Sequence, residues 1–417
     1  MQRLIKLPLV FLFIASLIGL ALRWHYYQPI AGLNYRFWLH AHSHVMFLGW
    51  VFNALFIGYV IGFLPNASQQ WYKKPFYIIN FLVLGMLIAF PLQGYGVYSI
   101  AVSTLHTMIV IVVAIRFFKD TKSDKLNIAI WFARISLVFF IISALGPFVV
   151  GALVANGLGQ SNWYHLAVYY YLHFQYNGVF TFGIFALFFH LLQQKKITIN
   201  LNQAKKFRVL LFISCFPAYA LSTLWANPPW FFYGVGLLAA LGQLVALYYL
   251  WSALRDGWSK LKQSVSQSSW VLLMTSMLAL VVKLILQLFS VHPSVAMLAY
   301  EMRFYVIAYL HLVLIGAISF FLLAWYNEQG WVSLKRLHIY LLLTGFVTSE
   351  LIMISIGKWP NLFSIPKWMV ITSITLVIGI AWIVFDAIFN SWVKHYSKPL
   401  GHREMKRSDK DQKSTVG

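Results

Sequence analysis

Residues 37–50 read FWLHAHSHVMFLGW. Three histidines, His40, His42 and His44, stand at the head of an apolar run that continues to about Leu64. A run of that length spans a bilayer as a helix, which takes about 20 apolar residues. Imidazole is costly in hydrocarbon, so three of them at the mouth of such a helix call for a task. The rest of the chain agrees with the membrane reading. Its 417 residues are 60% hydrophobic and only 10% charged, with a mean hydropathy of +0.73. A soluble fold of this length carries far more charge. Only helices or closed barrels satisfy every backbone group inside lipid, and the long unalternating apolar runs read as helices. The fold class is therefore all-α, a polytopic membrane protein.

Twelve apolar helical segments are expected, at 4–22, 38–64, 75–93, 97–117, 128–155, 163–192, 207–225, 229–252, 268–290, 298–325, 336–356 and 366–392. Breakers such as Pro65-Asn66, Asn227-Pro228-Pro229 and His292-Pro293 separate them. No internal repeat or low-complexity segment is evident. Residues 1–393 form one transmembrane domain, and the basic tail 394–417 is expected to be disordered. The N-terminus resembles a signal peptide, but its run is close to span length and the site before Arg23 is a weak cleavage signal. A retained first helix is expected. The single cysteine, Cys215, lies in an apolar run and excludes both an internal disulfide and a CxxCH haem attachment.

The net charge of +22 does not point to nucleic acid, because the cations are spread through short loops between spans. They serve as topology signals instead. Lys73 and Lys74, Lys195 and Lys196, Lys205 and Lys206, Lys335 and Arg336 all fall on the N-terminal side, together with the tail. The opposite loops hold few, among them Arg23, Arg36 and Lys367. Both termini are expected in the cytoplasm, and even-numbered helices run from outside to inside.

That orientation assigns depths to the histidines. His42 and His44 lie a turn or so below the outer face on helix 2. His106 and His173 fall about ten residues into helices 4 and 6, and His311 about thirteen into helix 10. Four even helices thus carry imidazoles to one outer-half layer, and imidazole is the commonest metal ligand. On helix 2, His40 and His44 share a face and His42 is about 200° from each. The His42 face continues through Val45, Met46, Gly49 and Asn53, which suits a flat macrocycle lying along the helix. The bland alternative makes His40 and His44 interfacial residues bonded to headgroups or water.

AHSHVMFLG resembles the second transmembrane helix of haem–copper oxidase subunit I, where an A-H-x-x-V-M pattern carries an axial ligand of the low-spin haem. The resemblance maps that ligand onto His42. YLHLVLIG on helix 10 resembles the family's paired H-x-H site, with His311 as the other low-spin ligand and Tyr309 where the high-spin haem ligand stands. HFQYNG on helix 6 is similar to the HLWVEG stretch of nitric oxide reductases, and places His173 as a copper or non-haem iron ligand, with Asn177 where those enzymes have Glu. The departures are as informative. Helix 7, FRVLLFISCFPAYALSTLW, has no His-His pair, so two copper ligands and the usual active-haem ligand are missing. The chain also resembles the NnrS family, whose W-H-A-H-E-M-x-x-G motif is close to FWLHAHSHVMFLG, with Ser43 at the acidic position.

These resemblances imply a haem b held by His42 and His311, with Arg36, Arg303 and Lys358 near the outer face as donors to its propionates. Three readings of a second centre stay open. His44, His106 and His173 offer three nitrogens for copper or non-haem iron. Tyr309 offers an axial phenolate for a second haem. Or nothing binds, and the histidines bond one another and water. His165, Tyr169 and His173 form a stripe that reads as a polar path or as aromatic packing. Arg134, Lys283, Glu350 and Asp386 are intramembrane charges, read as a proton path or as local pairs. The implied function is a membrane redox protein using nitric oxide or oxygen, with a cytochrome c or quinol as electron donor and a small partner subunit. Full oxygen reduction does not fit the missing helix 7 histidines. The rivals are a proton-coupled secondary transporter and a haem- or metal-handling assembly factor in a bacterial inner membrane.

Overall fold

The computed structural model describes residues 4–124, 126–358 and 365–396, with side chains omitted for 357–358 and 390–396. Among the described residues there is no strand. The long helices are α1 Leu7–Tyr27, α2 Tyr35–Phe63, α3 Asn66–Gln93, α4 Val97–Asp120, α5 Ile128–Ala155 and α6 Asn162–Gln194. They continue as α7 Leu201–Cys215, α8 Phe231–Leu254, α9 Gln267–Phe289, α10 Arg303–Glu328, α11 Arg336–Lys358 and α12 Ile365–Tyr396. Eleven are long and apolar enough to cross a membrane, as a polytopic membrane protein requires. The exception is α7. The span expected at 207–225 is instead a 15-residue helix that ends at Cys215. Pro217 follows, and its ring and missing N–H turn the chain into the 3₁₀ turns Pro217–Ser222 and Leu224–Ala226. The helix expected at 298–325 is also divided: Pro293–Glu301 stops at Met302 (φ −100°, ψ 86°), and α10 starts afresh at Arg303. Beyond Tyr396 the basic tail lies outside the described residues, as does the Lys358 side chain.

Three helices are central. In their most apolar stretches α2, α6 and α10 are 89%, 100% and 61% buried, against 28–44% for the other eight. The rest surround them: α3 packs on α4, α7 on α8, α11 on α12, and α12 returns to α1 and closes the bundle. Close approach replaces the hydrophobic drive that lipid removes. At Gly345 a Cβ would stand 2.8 Å from the backbone nitrogen of Leu376, so α11 and α12 meet there backbone to backbone.

Each central helix widens into π geometry at mid-length, over Val45–Phe52, Phe174–Phe180 and Leu312–Ser319. Such segments are rare and leave backbone carbonyls poorly paired. Here side chains pair them. Asn53 donates to the Gly49 carbonyl at 3.0 Å, Thr181 to Tyr176 at 2.6 Å, and Ser319 to Leu314 at 2.7 Å. Neighbouring helices contribute too: Ser136 on α5 donates to the Val179 carbonyl at 2.8 Å and Ser276 on α9 to that of Ala317 at 2.5 Å. The widening alters the helix 2 face expected from a regular helical period. Gly49 still lies under α1, where a Cβ would meet Phe11 at 2.8 Å. Asn53 has rotated away and donates to Asn80 of α3 at 2.9 Å.

The end that carries the lysine-rich loops is filled by aromatic side chains. Phe132 of α5 packs within 5.5–5.7 Å of the Phe182, Phe185, Phe189 and Phe207 rings. Trp325 and Tyr326 on α10 close around Trp331 at 5.0 and 4.9 Å.

Candidate functional site

Each π segment begins on the residue after a histidine: Val45 after His44, Phe174 after His173, Leu312 after His311. His42, His106, His173 and His311 are the eighth, tenth, twelfth and ninth residues of α2, α4, α6 and α10, so each lies within about 18 Å of its own helix start at 1.5 Å per residue.

His42 faces α1. Its Nδ1 lies 2.9 Å from the Ala15 carbonyl. A carbonyl only accepts, so Nδ1 carries the proton and Nε2 presents its lone pair. Gly19, one turn further along α1, lies beneath the ring, and a Cβ there would stand 3.0 Å from Cε1. The stretch Ala15–Gly19 thus acts as a cradle that sets both the tautomer and the plane of the imidazole.

His311 on α10 lies close enough to His42 to interact with it electrostatically. The two upper helix halves nonetheless pack on different neighbours, α2 on α1 and α3, α10 on α11. Although deep in the bundle, the His311 side chain keeps 22% of its surface accessible. His42 is likewise only half-buried. Both side chains thus keep surface that no neighbouring residue covers. Arg23, expected in a loop, belongs to the last turns of α1 and reaches into this region. Its guanidinium donates to Ser349 Oγ at 2.8 Å and Ser373 Oγ at 3.0 Å, and approaches His311 Nδ1 at 3.4 Å. The Glu350 carboxylate stands 3.9 Å from the same nitrogen. Its Oε1 is buried without a hydrogen-bond partner. Donation from Arg23 leaves the His311 proton on Nε2, and Glu350 stands beyond hydrogen-bond reach of Nδ1.

Arg36 and Arg303 belong to the first turns of α2 and α10, ahead of the two histidines. Arg36 donates to the Tyr164 hydroxyl at 3.0 Å. The Arg303 guanidinium stands over the Tyr35 ring at 5.5 Å, which ties the start of α10 to the start of α2.

The set His44, His106 and His173 is not assembled by these side chains. Among the described residues no three of His, Cys, Asp and Glu are grouped closely enough to share a metal. His44 stacks on Phe90 at 4.3 Å, with Nε2 3.3 Å from the Tyr95 hydroxyl, and interacts with His106. His173 belongs to a different neighbourhood. Its Nε2 donates to the Cys215 carbonyl at 2.9 Å, and Nδ1 accepts from Asn177 Nδ2 at 3.0 Å, so both nitrogens are used. Tyr309 faces α6, with its ring 6.1 Å from that of Tyr176. His40 sits edge-on to Tyr95 at 4.6 Å. The stripe of His165 and Tyr169 packs against Trp225 at 6.1 and 5.8 Å.

The four intramembrane charges do not line up as a path. Arg134 donates to the Phe118 carbonyl at 3.1 Å, and Asp386 pairs with Lys335 at 2.6 Å; both lie towards the lysine end. Lys283 is buried beside Cys215. Glu350 belongs with Arg23. Sequence reasoning missed Arg23 because the apolar run before it is short, and the signal that could have placed it was the unbroken helix-compatible stretch ALRWHYY. No protein-family model matches the chain, and no curated protein matches it.

Proposed function

We propose that this chain is a haem-binding redox protein of a bacterial inner membrane, similar to haem–copper oxidase subunit I. It holds a low-spin haem b between His42 and His311, with both termini cytoplasmic as the lysine-rich loops direct. The observation that carries the reading is the His42 cradle. A ligating histidine characteristically donates its other ring nitrogen to a carbonyl or carboxylate, and Ala15 accepts that bond at 2.9 Å. Three further observations fit a flat group between the rings. Gly19 leaves no side chain under His42, the upper halves of α2 and α10 pack on other helices, and His311 keeps accessible surface deep in the bundle.

Such a haem supplies a one-electron carrier whose potential depends on burial and on hydrogen bonds to its ligands. The chain's residues would set those conditions. The Ala15 carbonyl holds the His42 proton on Nδ1. Ligation through Nε2 of His311 requires its Nδ1–H to turn from Arg23 to Glu350, which stands 3.9 Å away. Arg36 and Arg303 provide cations in the first turns of α2 and α10 for carboxylate groups, and the aromatic plug at the lysine end excludes water from that side. Since His173 uses both nitrogens within the protein, electron transfer through one haem is the reading; with both axial positions filled, nitric oxide or oxygen would have to react at another centre.

The test is a reduced-minus-oxidised visible spectrum of the purified protein, expressed with a haem supply, alongside iron analysis of the same sample. One iron per chain and a sharp b-type band support the reading. A flat spectrum with no iron overturns it and gives the transporter reading its turn.

A further inference from the structure

A space lies on the other face of α2. Between α2, α4, α5 and α6 is a cavity of about 160 Å³. It exists because α5 bends at Ala144. Its first half packs on α4 and α6, whereas its second half, beyond Pro147, packs on α6 alone. The cleft so opened is rimmed by Ile100 of α4 and by Phe148 and Val154 of α5, which are 39%, 47% and 41% exposed on the bundle's flank. Its inner end is polar, with His44, Tyr95, Tyr171 and Gln175.

Two of those inner residues are buried with an atom unpaired. His44 is 6% exposed and its Nδ1 has no partner; Gln175 is 1% exposed and its Oε1 has none. Behind them His106, fully buried, has both ring nitrogens unpaired. Buried polar atoms left unsatisfied are costly, so a ligand that pairs with them has a strong advantage. No Asp, Glu, Lys or Arg lines the cavity. A lipid phosphate, a fatty acid or an organic cation would find no counter-charge, which leaves a neutral occupant. The walls include the rings of Phe140, Tyr95 and Tyr171, and a cavity of about 150 Å³ is known to admit a benzene ring.

We propose that this cavity binds the ring of a membrane quinol, with one hydroxyl donating to Gln175 Oε1, the other paired with His44 Nδ1, and its apolar tail leaving between Ile100 and Phe148. Quinols combine the three features the cavity asks for: a neutral flat ring, hydroxyls that can donate to an unpaired acceptor, and a tail that stays in lipid. His44 and His42 lie two residues apart on opposite faces of α2, so the ring would sit one helix thickness, about 10 Å, from the haem site. That the quinol is the electron donor rests on the haem reading; the binding does not.

The experiment is anaerobic titration of the full-length protein in nanodiscs with a decyl-tailed benzoquinol, read by calorimetry, and by photocrosslinking with its azido derivative. Saturable one-to-one binding is expected, with crosslinks on α4 or α5. Gln175→Leu and His44→Phe should weaken it at least about tenfold, equivalent to one lost hydrogen bond of about 1.4 kcal/mol. Gly151 lines the same cavity, and a Cβ there would meet nothing within 4 Å. Gly151→Leu should therefore fill the site and weaken binding by a similar factor without lowering the melting temperature. Absence of saturable binding, crosslinks confined to other helices, or a Gly151→Leu protein that binds like wild type would each overturn the proposal. Failure of the haem reading would register in the visible spectrum and leave this titration unmoved.

Discussion

The lysine end and the histidine end of α2 are parts of one helix under opposite demands. Below Val45 every residue down to Val60 is buried, and rings from α3, α4, α5 and α10 fill the surroundings. Above it His42 is half-buried, lies over Gly19 of α1, and has its proton fixed by the backbone of that helix. The π segment is the seam. It rotates the lower half so that Asn53 meets Asn80, while the upper half keeps His42 on α1 and His44 on the opposite side. The same division recurs on α10, where His311 is partly accessible and Phe320–Tyr326 are sealed. The difference teaches that stability and chemistry are separated along the membrane normal, with the aromatic half holding the helices so that the other half can leave gaps.

The comparison breaks most visibly at His42. His42→Ala should abolish haem-type absorbance while the melting temperature changes little, because the ring is only half-buried. Retained absorbance with a normal iron content would remove the ligand assignment. In the packed half the opposite is expected. Phe132→Ala deletes a fully buried ring with four aromatic neighbours and should cost about 3–5 kcal/mol in unfolding studies, with the spectrum of the surviving protein unaltered. Equal stability losses from both substitutions would show that the two halves are not divided as argued.

The helices were legible because apolar runs of span length have few other uses. Segments expected at 38–64, 163–192 and 336–356 differ from the observed helices by only a few residues. The separation of His42 from His40 and His44 was legible too, since it needs only the helical period. What lay deeper was not. The π segments cannot be read from FQYNGVF or LVLIGAIS, because some of the groups that pair their loosened carbonyls are tertiary, serines on α5 and α9. Arg23 read as a loop cation because nothing local reveals the hydroxyls of Ser349 and Ser373, more than 320 residues away. The break at Met302 has neither Pro nor Gly to announce it, and Pro217 was passed over because the apolar run continued beyond it.

Smaller effects sharpen the same contrast. Gly19→Ala places a methyl 3.0 Å from His42 Cε1. The ring must shift by a few tenths of an ångström, and haem should be lost several-fold faster during dialysis against apomyoglobin. An unchanged rate would mean that the cradle does not position the imidazole. Smallest is the seam itself. Ser319 Oγ donates to the Leu314 carbonyl and accepts from Trp50 Nε1 at 2.9 Å, which joins α10 to α2. Ser319→Ala leaves a buried donor unpaired and should cost about 1–3 kcal/mol. It should leave the haem spectrum intact, and a shifted spectrum would show that the seam transmits to the ligands.

The central claim is that His42 and His311 face one another across a space that takes a flat group between them. Paramagnetic resonance of the oxidised, haem-loaded protein tests it most directly, with wild type compared against His311→Ala. Two imidazole ligands give a low-spin ferric signal, and loss of one ring should convert it to high spin. A low-spin signal that persists unchanged in His311→Ala would contradict the claim.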